Sequence, residues 1–390
     1  MPMKRISLLD SFRALSILAV ALFHYTSRYN VPGSTPGMYP YGSFFGNLFA
    51  YGFYGVEFFF CISGFVISYT LENTDSYGSF WKNRLIRLMP PMVLCSLTTF
   101  CLSLAFDNKD LFPYAHDASG FLPSLTFTRP GLWHLIINRR PQYIDLVYWS
   151  LWVEIQFYIV AAALFYANKR AFLRNIVIFA LLLNLLNWFL TSFMQEPASY
   201  HLPGFLQQKL MIFSEYSKLF DLRIYISWFA IGAFFHQLFI KRTIRFLSFT
   251  GIGIVLLFAN QLYLSNPWPA KVIFVTIVLL FLAMIYKKNL LSFLDNRLFW
   301  RVGALSYTIY LIHNGLGLLF INRIGPYFGK WSPITPFIAL LLAYGFAELS
   351  YRLYEKRVST FLKRCLFKPV PASPPSQTPI TELAPDSTRN

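Results

Sequence analysis

Residues 9–29 read LDSFRALSILAVALFHYTSRY. About 20 apolar residues are what a helix needs to cross the hydrocarbon of a bilayer, and this stretch carries Asp10, Arg13 and His24 along the way. Nine more apolar runs follow, at about 46–71, 88–106, 147–167, 175–194, 223–240, 246–264, 270–286, 302–322 and 333–354. The fold class is therefore all-α, a polytopic membrane bundle of about ten transmembrane helices.

Composition points to the same solvent. Of 390 residues, 56% are hydrophobic and only 13% charged, where a soluble domain carries about 25% charge. Aromatics reach 19%, too many for one soluble core and suited to lipid contact and interfacial belts. The formal net charge of +17 does not mark a nucleic-acid surface, because Lys and Arg fall in short groups between apolar runs, such as Lys169-Arg170 and Lys287-Lys288. The bilayer is the expected partner and nucleic acid is not. Cys61, Cys95, Cys101 and Cys365 show neither metal-ligand nor redox spacing, so no metal site and no disulfide framework are expected.

The basic groups also orient the chain. With the N-terminus in the cytoplasm, 23 of the 34 Lys and Arg residues fall on the cytoplasmic side and 11 outside, the bias that membrane insertion favours. An even number of spans then leaves both N- and C-termini cytoplasmic. The first run follows Lys4-Arg5 without a small-residue cleavage site, as an uncleaved first span does. Residues 1–365 are read as one transmembrane domain, and 366–390 as a Pro- and Ser-rich disordered cytoplasmic tail. The long outer loop, about 107–146, holds Asp107, Asp110, His116, Asp117, Trp133, His134, Arg139, Arg140 and Asp145, more than a connection needs and fit for binding.

Charge inside a span is costly and usually faces the bundle interior, where it marks function. Arg13 and His24 are eleven positions apart, which returns to nearly the same helical face, with Asp10 one turn before on the same stripe. Along the axis they are separated by roughly 16 Å, with Arg13 near the cytoplasmic edge and His24 in the outer half. Glu154 enters the fourth span at a similar depth to His24. A carboxylate beside an imidazole raises its basicity and fixes its tautomer, as an acyl-transfer base requires; a structural hydrogen bond between spans is the competing reading. Arg84 and Arg87 can share a helix face and suit phosphate recognition, or carry ordinary positive-inside charge. Ser63-Gly64 and Ser306-Tyr307 are small or hydroxyl-bearing pairs suited to close helix approach. His313 is either a second catalytic or acceptor-binding group or a core hydrogen-bonding residue, and His236 reads as interfacial.

In order along the chain stand Asp10-x-x-Arg13-Ala14 with His24, Gly55-Val56-x-Phe58-Phe59-x-x-x-Ser63-Gly64-Phe65, and Phe80-x-x-x-Arg84-x-x-Arg87-x-x-Pro90. Trp149-Ser150-Leu151-x-x-Glu154-x-x-Phe157-Tyr158 and Ser306-Tyr307-x-x-Tyr310-Leu311-x-His313 complete the series. Together these motifs resemble the membrane acyltransferase-3 family, which acylates polysaccharides and other cell-envelope molecules. One departure is Glu355-Lys356-Arg357, where family members often carry Glu-x-Pro. The resemblance implies a multi-pass protein of the bacterial inner membrane. It also implies a cytoplasmic acyl-CoA donor, commonly acetyl-CoA, used as co-substrate with no tightly bound cofactor. The acceptor is then a sugar hydroxyl of an envelope polysaccharide or lipid-linked sugar.

On that reading His24, oriented by Glu154, is the catalytic base, while Arg13, Arg84 and Arg87 bind the donor phosphates. Asp10, Ser63, Ser306, Tyr307 and His313 support the site or bind acceptor. The rival reading is a non-enzymatic transporter or flippase for a polysaccharide precursor, with the same charges lining a polar path. The absence of an internal repeat weakens a transporter built from duplicated halves.

Overall fold

A computed structural model describes residues 6–28, 44–45, 48–139, 141–243 and 248–367. The expected tail lies almost entirely outside the described residues. The helices expected from the apolar runs are all present: α1 Ser7–Thr26, α2 Gly55–Glu72, α3 Tyr77–Phe106, α4 Trp149–Ala167 and α5 Phe172–Gln195. Then come α6 Leu222–Lys241, α7 Phe249–Leu264, α8 Trp268–Tyr286, α9 Arg297–Arg323 and α10 Thr335–Ser350, with α11 Lys356–Leu366 closing the described chain. Among the described residues, 9 helical segments are long and apolar enough to cross a membrane, and α7, at 16 residues, falls short of that length. The chain is a multi-pass membrane protein.

Helix α3 departs most from expectation. Its apolar run places the start near residue 88, after a loop, yet the helix spans 30 residues and contains both Pro90 and Pro91. It starts at a capped turn, where the Ser76 hydroxyl accepts the Ser79 N–H at 3.2 Å. Pro90 is tolerated because the carbonyl it leaves without a helical donor, that of Ile86, accepts from the Ser359 hydroxyl of α11 at 3.2 Å. The consequence is functional, since Arg84 and Arg87 ride on a rigid helix rather than a loop.

Two seams hold the bundle together. In α2 and α6 the glycines lie across from each other's backbone: a Cβ on Gly64 would come within 2.1 Å of the Phe229 carbonyl oxygen, and one on Gly232 within 1.9 Å of the Cys61 carbonyl oxygen. In lipid there is little hydrophobic drive between helices, so such close backbone approach supplies the packing energy. The α1 and α9 seam is equally tight, with a Cβ on Gly303 falling 1.7 Å from the Asp10 carbonyl oxygen. It is pinned by the Tyr25 hydroxyl, which donates to the His313 carbonyl at 2.8 Å.

Both ends of the described chain meet at one end of the bundle. Ser7 donates to Asp295 at 2.6 Å just before α9, and Arg301 in the first turn of α9 clasps Glu348 near the end of α10 through two bonds of 2.7 Å. Lys82 of α3 reaches the Leu366 carbonyl of α11 at 3.0 Å. Glu355, at the departure from the Glu-x-Pro pattern, accepts from Thr308 at 2.9 Å and so ties the π-helical turn Tyr351–Glu355 to α9. The loop after α3 is folded at the opposite end, with short helices Phe121–Leu125 and Pro130–Ile137. Asp107 organises its start, accepting from the Leu111 and Phe112 N–H groups at 3.1 and 2.9 Å and meeting Arg323 of α9 at 3.3 Å.

The seam makes a direct prediction. Gly232→Val should lower the detergent melting temperature by the equivalent of about 1–3 kcal/mol or more, as overpacking does. Gly78→Ala, where an added methyl would meet nothing within 4 Å, should not lower it, and Ala favours the helix by up to about 1 kcal/mol over Gly. Equal melting curves for Gly232→Val and wild type would show that the α2 and α6 backbones do not meet.

Candidate functional site

Polar side chains inside the bundle form two clusters set end to end. The first lines a partly open cavity between α1, α2, α3, α4 and α9, about 710 Å³ with the space at its mouth included. Arg13, Arg84 and Arg87 contribute three guanidiniums to its wall, with Ser63, Glu154, Tyr158, Ser306 and Tyr307 further along. Arg84 is buried and firmly held: it donates to the Thr70 hydroxyl at 2.9 Å and lies between the rings of Phe80 and Tyr158, 5.5 and 5.7 Å from their centroids. Arg13 bonds Asp10 at 2.9 Å, one turn back on α1. Three cations on one wall, with Glu154 the carboxylate among the lining residues, make a site suited to several phosphate oxygens at once.

Glu154 accepts the Ser63 hydroxyl at 2.7 Å and also the Tyr158 hydroxyl, one turn on along α4. Its described hydrogen-bond partners are therefore α2 and its own helix, not α1. The expected pairing of Glu154 with His24 is not made. Similar depth along two helices does not decide which way each side chain points around its axis, and here α4 turns this face toward Ser63. Tyr307 donates to the Leu88 carbonyl at 3.2 Å, fixing α9 against α3, while Ser306 lines the cavity beside it.

His24 belongs to the second cluster, on the α1 and α9 seam. Its Nδ1 is 3.0 Å from the Asn314 Oδ1, and the Asn314 Nδ2 donates to the Asp145 Oδ1 at 2.7 Å. Asp145 is buried and accepts the Val147 N–H at 3.1 Å as well. A carboxylate accepts only, so Asp145 turns the Asn314 amide with its NH₂ inward and its oxygen toward His24. An oxygen facing Nδ1 calls for a proton on that nitrogen, which leaves the Nε2 lone pair as the basic one. Arg28, which can only donate, lies 3.1 Å from the same Nδ1 and can bond it only when that nitrogen carries no proton, so the Asn314 and Arg28 contacts are alternatives that belong to opposite tautomers. The acid coupled to His24 is thus Asp145, through an amide, in place of Glu154.

Tyr310 and His313 lie between the clusters. The Tyr310 hydroxyl donates to the Val147 carbonyl at 2.7 Å and meets the Ser150 hydroxyl at 2.7 Å, and both Tyr310 and Ser150 line the cavity. The Tyr310 ring centroid is 5.5 Å from that of His313, which in turn meets His24 edge-on at 5.1 Å. His313 gives its Nδ1 proton to the Tyr310 carbonyl at 2.7 Å, and its buried Nε2 has no hydrogen-bond partner among the described residues. The cavity with the guanidiniums therefore ends one ring short of the histidine pair. His236 is buried in α6, packed edge-on to Phe65 at 5.2 Å and outside the set of residues that line the cavity.

Asn314 and Arg28 were not singled out from the sequence, Asp145 was named only as one of the residues of the long outer loop, and Tyr158 only as part of a motif. A search for ionisable groups within spans passes over a neutral amide, and Asp145 sits just ahead of α4 in what reads as loop. For Asn314 the available signal was position, because it directly follows His313.

Comparison with known proteins bears on what such a site does. An acyltransferase-domain family model matches residues 6–347. A protein of Bacillus subtilis strain 168, provisionally named a peptidoglycan O-acetyltransferase, is 25% identical over 386 residues, 90% of this chain and 54% of the relative. A protein of Staphylococcus aureus strain COL, provisionally named an O-acetyltransferase, is 27% identical over 168 residues, 40% of this chain and 24% of that relative. The chain thus spans about half the length, or less, of these relatives. No solved structure matches it.

The hydrogen-bond chain through Asn314 is directly measurable. Nitrogen-15 spectra of histidine-labelled protein, assigned with His24→Gln, should show a protonated Nδ1 for His24 at neutral pH. Asn314→Leu should move that resonance toward the Nε2-protonated form. A wild-type His24 tautomer in Asn314→Leu would mean that Asp145 and Asn314 do not set it.

Proposed function

Because this chain belongs to the membrane acyltransferase-3 family, we propose that it is an O-acyltransferase that moves an acetyl group from cytoplasmic acetyl-CoA to a sugar hydroxyl of an envelope polysaccharide or lipid-linked sugar. The bacterial inner membrane is its place of action. The observation that supports this reading most directly is the cavity itself, with Arg13, Arg84 and Arg87 on its wall and an end at Tyr310 beside the two histidines. The charge suits the phosphates of coenzyme A, and the path from the guanidiniums to Tyr310 suits the pantetheine arm.

In the proposed reaction the donor phosphates rest on the three guanidiniums and the thioester carbonyl arrives at the Tyr310 end. His24 Nε2 takes the proton of the acceptor hydroxyl as its oxygen attacks the thioester carbon. The tetrahedral intermediate collapses with cleavage of the carbon–sulfur bond, and the imidazolium returns the proton to the departing thiolate. Asp145 and Asn314 keep Nδ1 protonated, so that the ring presents its lone pair at Nε2 and the growing positive charge faces a chain ending in a carboxylate. Glu154 holds the Ser63 and Tyr158 hydroxyls and offsets the guanidiniums within the donor cavity.

Labelled acetyl-CoA added to the cytoplasmic face of sealed vesicles tests this. His24→Ala should lower transfer to glycan by about 10²- to 10⁴-fold, the usual worth of a general base. Arg84→Ala combined with Arg87→Ala should instead raise the acetyl-CoA KM with a smaller change in kcat, as loss of uniform donor binding does. Label entering glycan at the wild-type rate in His24→Ala would remove His24 from the role of base, and absence of any label with the wild-type protein would overturn the acetyl-CoA reading.

A further inference from the structure

At the end of the bundle away from the Lys82 and Leu366 contact, a second concave region of about 1040 Å³ opens between the loop ahead of α4 and the start of α6. Three of its lining residues are aromatic, Tyr143, Trp149 and Tyr225, and three are polar, Arg129, Gln142 and Asp221. Trp149 and Tyr225 form one tilted platform, with ring centroids 5.5 Å apart at 40°. Arg129 and Asp221 form an ion pair of 2.6 Å at its rim, leaving neither charge in excess. Tyr143 is 5% exposed, and its hydroxyl has no hydrogen-bond partner among the described residues. An orphaned hydroxyl at that depth costs stability unless something from outside completes it.

We propose that this groove is a saccharide-binding subsite that holds the acceptor glycan, an assignment that rests on the acyl-transfer reading above. A pyranose presents apolar C–H faces together with hydroxyls around its edge. A broad aromatic surface flanked by an amide, a guanidinium and a carboxylate matches both features. A phosphate-bearing ligand would call for excess positive charge, which the rim ion pair cancels; a lipid tail would leave the Tyr143 hydroxyl without a partner and lay hydrocarbon against the ion pair.

The groove is joined to the catalytic cluster by a single short segment. Gln142, Tyr143, Leu146 and Trp149 line the groove. From the same stretch Asp145 holds Asn314, the Val147 carbonyl accepts from Tyr310, and Ser150 meets the Tyr310 hydroxyl. Residues 142–150 therefore form a wall with the acceptor groove on one side and the partners of His24 and Tyr310 on the other. A glycan seated on Trp149 and bonded to Tyr143 would lie against the segment that sets the base.

The test uses the full chain in lipid nanodiscs. Saturation-transfer NMR with tetramers of N-acetylglucosamine, glucose, galactose and mannose measures binding without any reaction, and labelled acetyl-CoA measures transfer to the tetramer bound best. Tyr143→Phe keeps the ring and removes only the orphaned hydroxyl, and should weaken binding about three- to tenfold, the worth of one hydrogen bond. Trp149→Ala should weaken it more, and both should raise the acceptor KM while leaving the acetyl-CoA KM at its wild-type value. Wild-type affinity and acceptor KM in both variants would overturn the proposal, as would binding of none of the four tetramers by the wild-type protein. Acetyl transfer with an unchanged acceptor KM in both variants would sink the groove and keep the transferase; groove-dependent binding without acetyl transfer would do the reverse. Supplying the preferred glycan free and on a lipid carrier then distinguishes the two acceptor sources by their KM values, either one supporting the subsite.

Discussion

A polar side chain inside hydrocarbon has no water to fall back on, so each one must be paired across a helix interface or lie against a cavity. That constraint organises the α1 and α9 seam, on which the rest of the site depends. Gly303 lets the α9 backbone reach the Asp10 carbonyl, and Tyr25 bonds the His313 carbonyl further up the same interface. Between those two fixings the helices cannot slide, and the Asn314 amide is delivered to His24 at 3.0 Å. The tight packing is thus what turns an amide and a carboxylate from different segments into an orienting device for one imidazole.

Much of the architecture was legible because it is written in hydrophobic length. The ten apolar runs correspond to the ten helices α1 to α10, and the Arg13, Arg84 and Arg87 set read as one basic region does line one cavity. The start of α3 was less legible, because Lys82, Asn83, Arg84 and Arg87 interrupt the apolar pattern and read as loop, and the information that extends the helix back to Tyr77 is the Ser76 cap together with packing that sequence spacing does not contain. The partner of His24 was not legible for a geometric reason. Periodicity places Glu154 and His24 at comparable depth, but the direction each faces is set by which helices adjoin, and α1 adjoins α9 through His24 while α4 meets α2 through Glu154 and Ser63. Asn314, carrying no charge, gave a search for buried ionisable groups nothing to find.

The arrangement also bears on a difficulty common to acyl transfer, that water competes with the acceptor for the thioester. The cavity with the guanidiniums ends at Tyr310, whose hydroxyl is bonded on one side to the Val147 carbonyl and on the other to Ser150. Beyond that ring stand His313 and His24, with ring centroids 5.1 Å apart. The route from the guanidiniums to His24 is therefore occupied by a side chain that is itself tethered to Val147 and Ser150. A tether of two hydrogen bonds is modest, each worth about 1 kcal/mol net. On the proposed reading the Tyr310 ring therefore has to shift for a thioester to meet His24, and while its two bonds hold it stands between the guanidiniums and the imidazole.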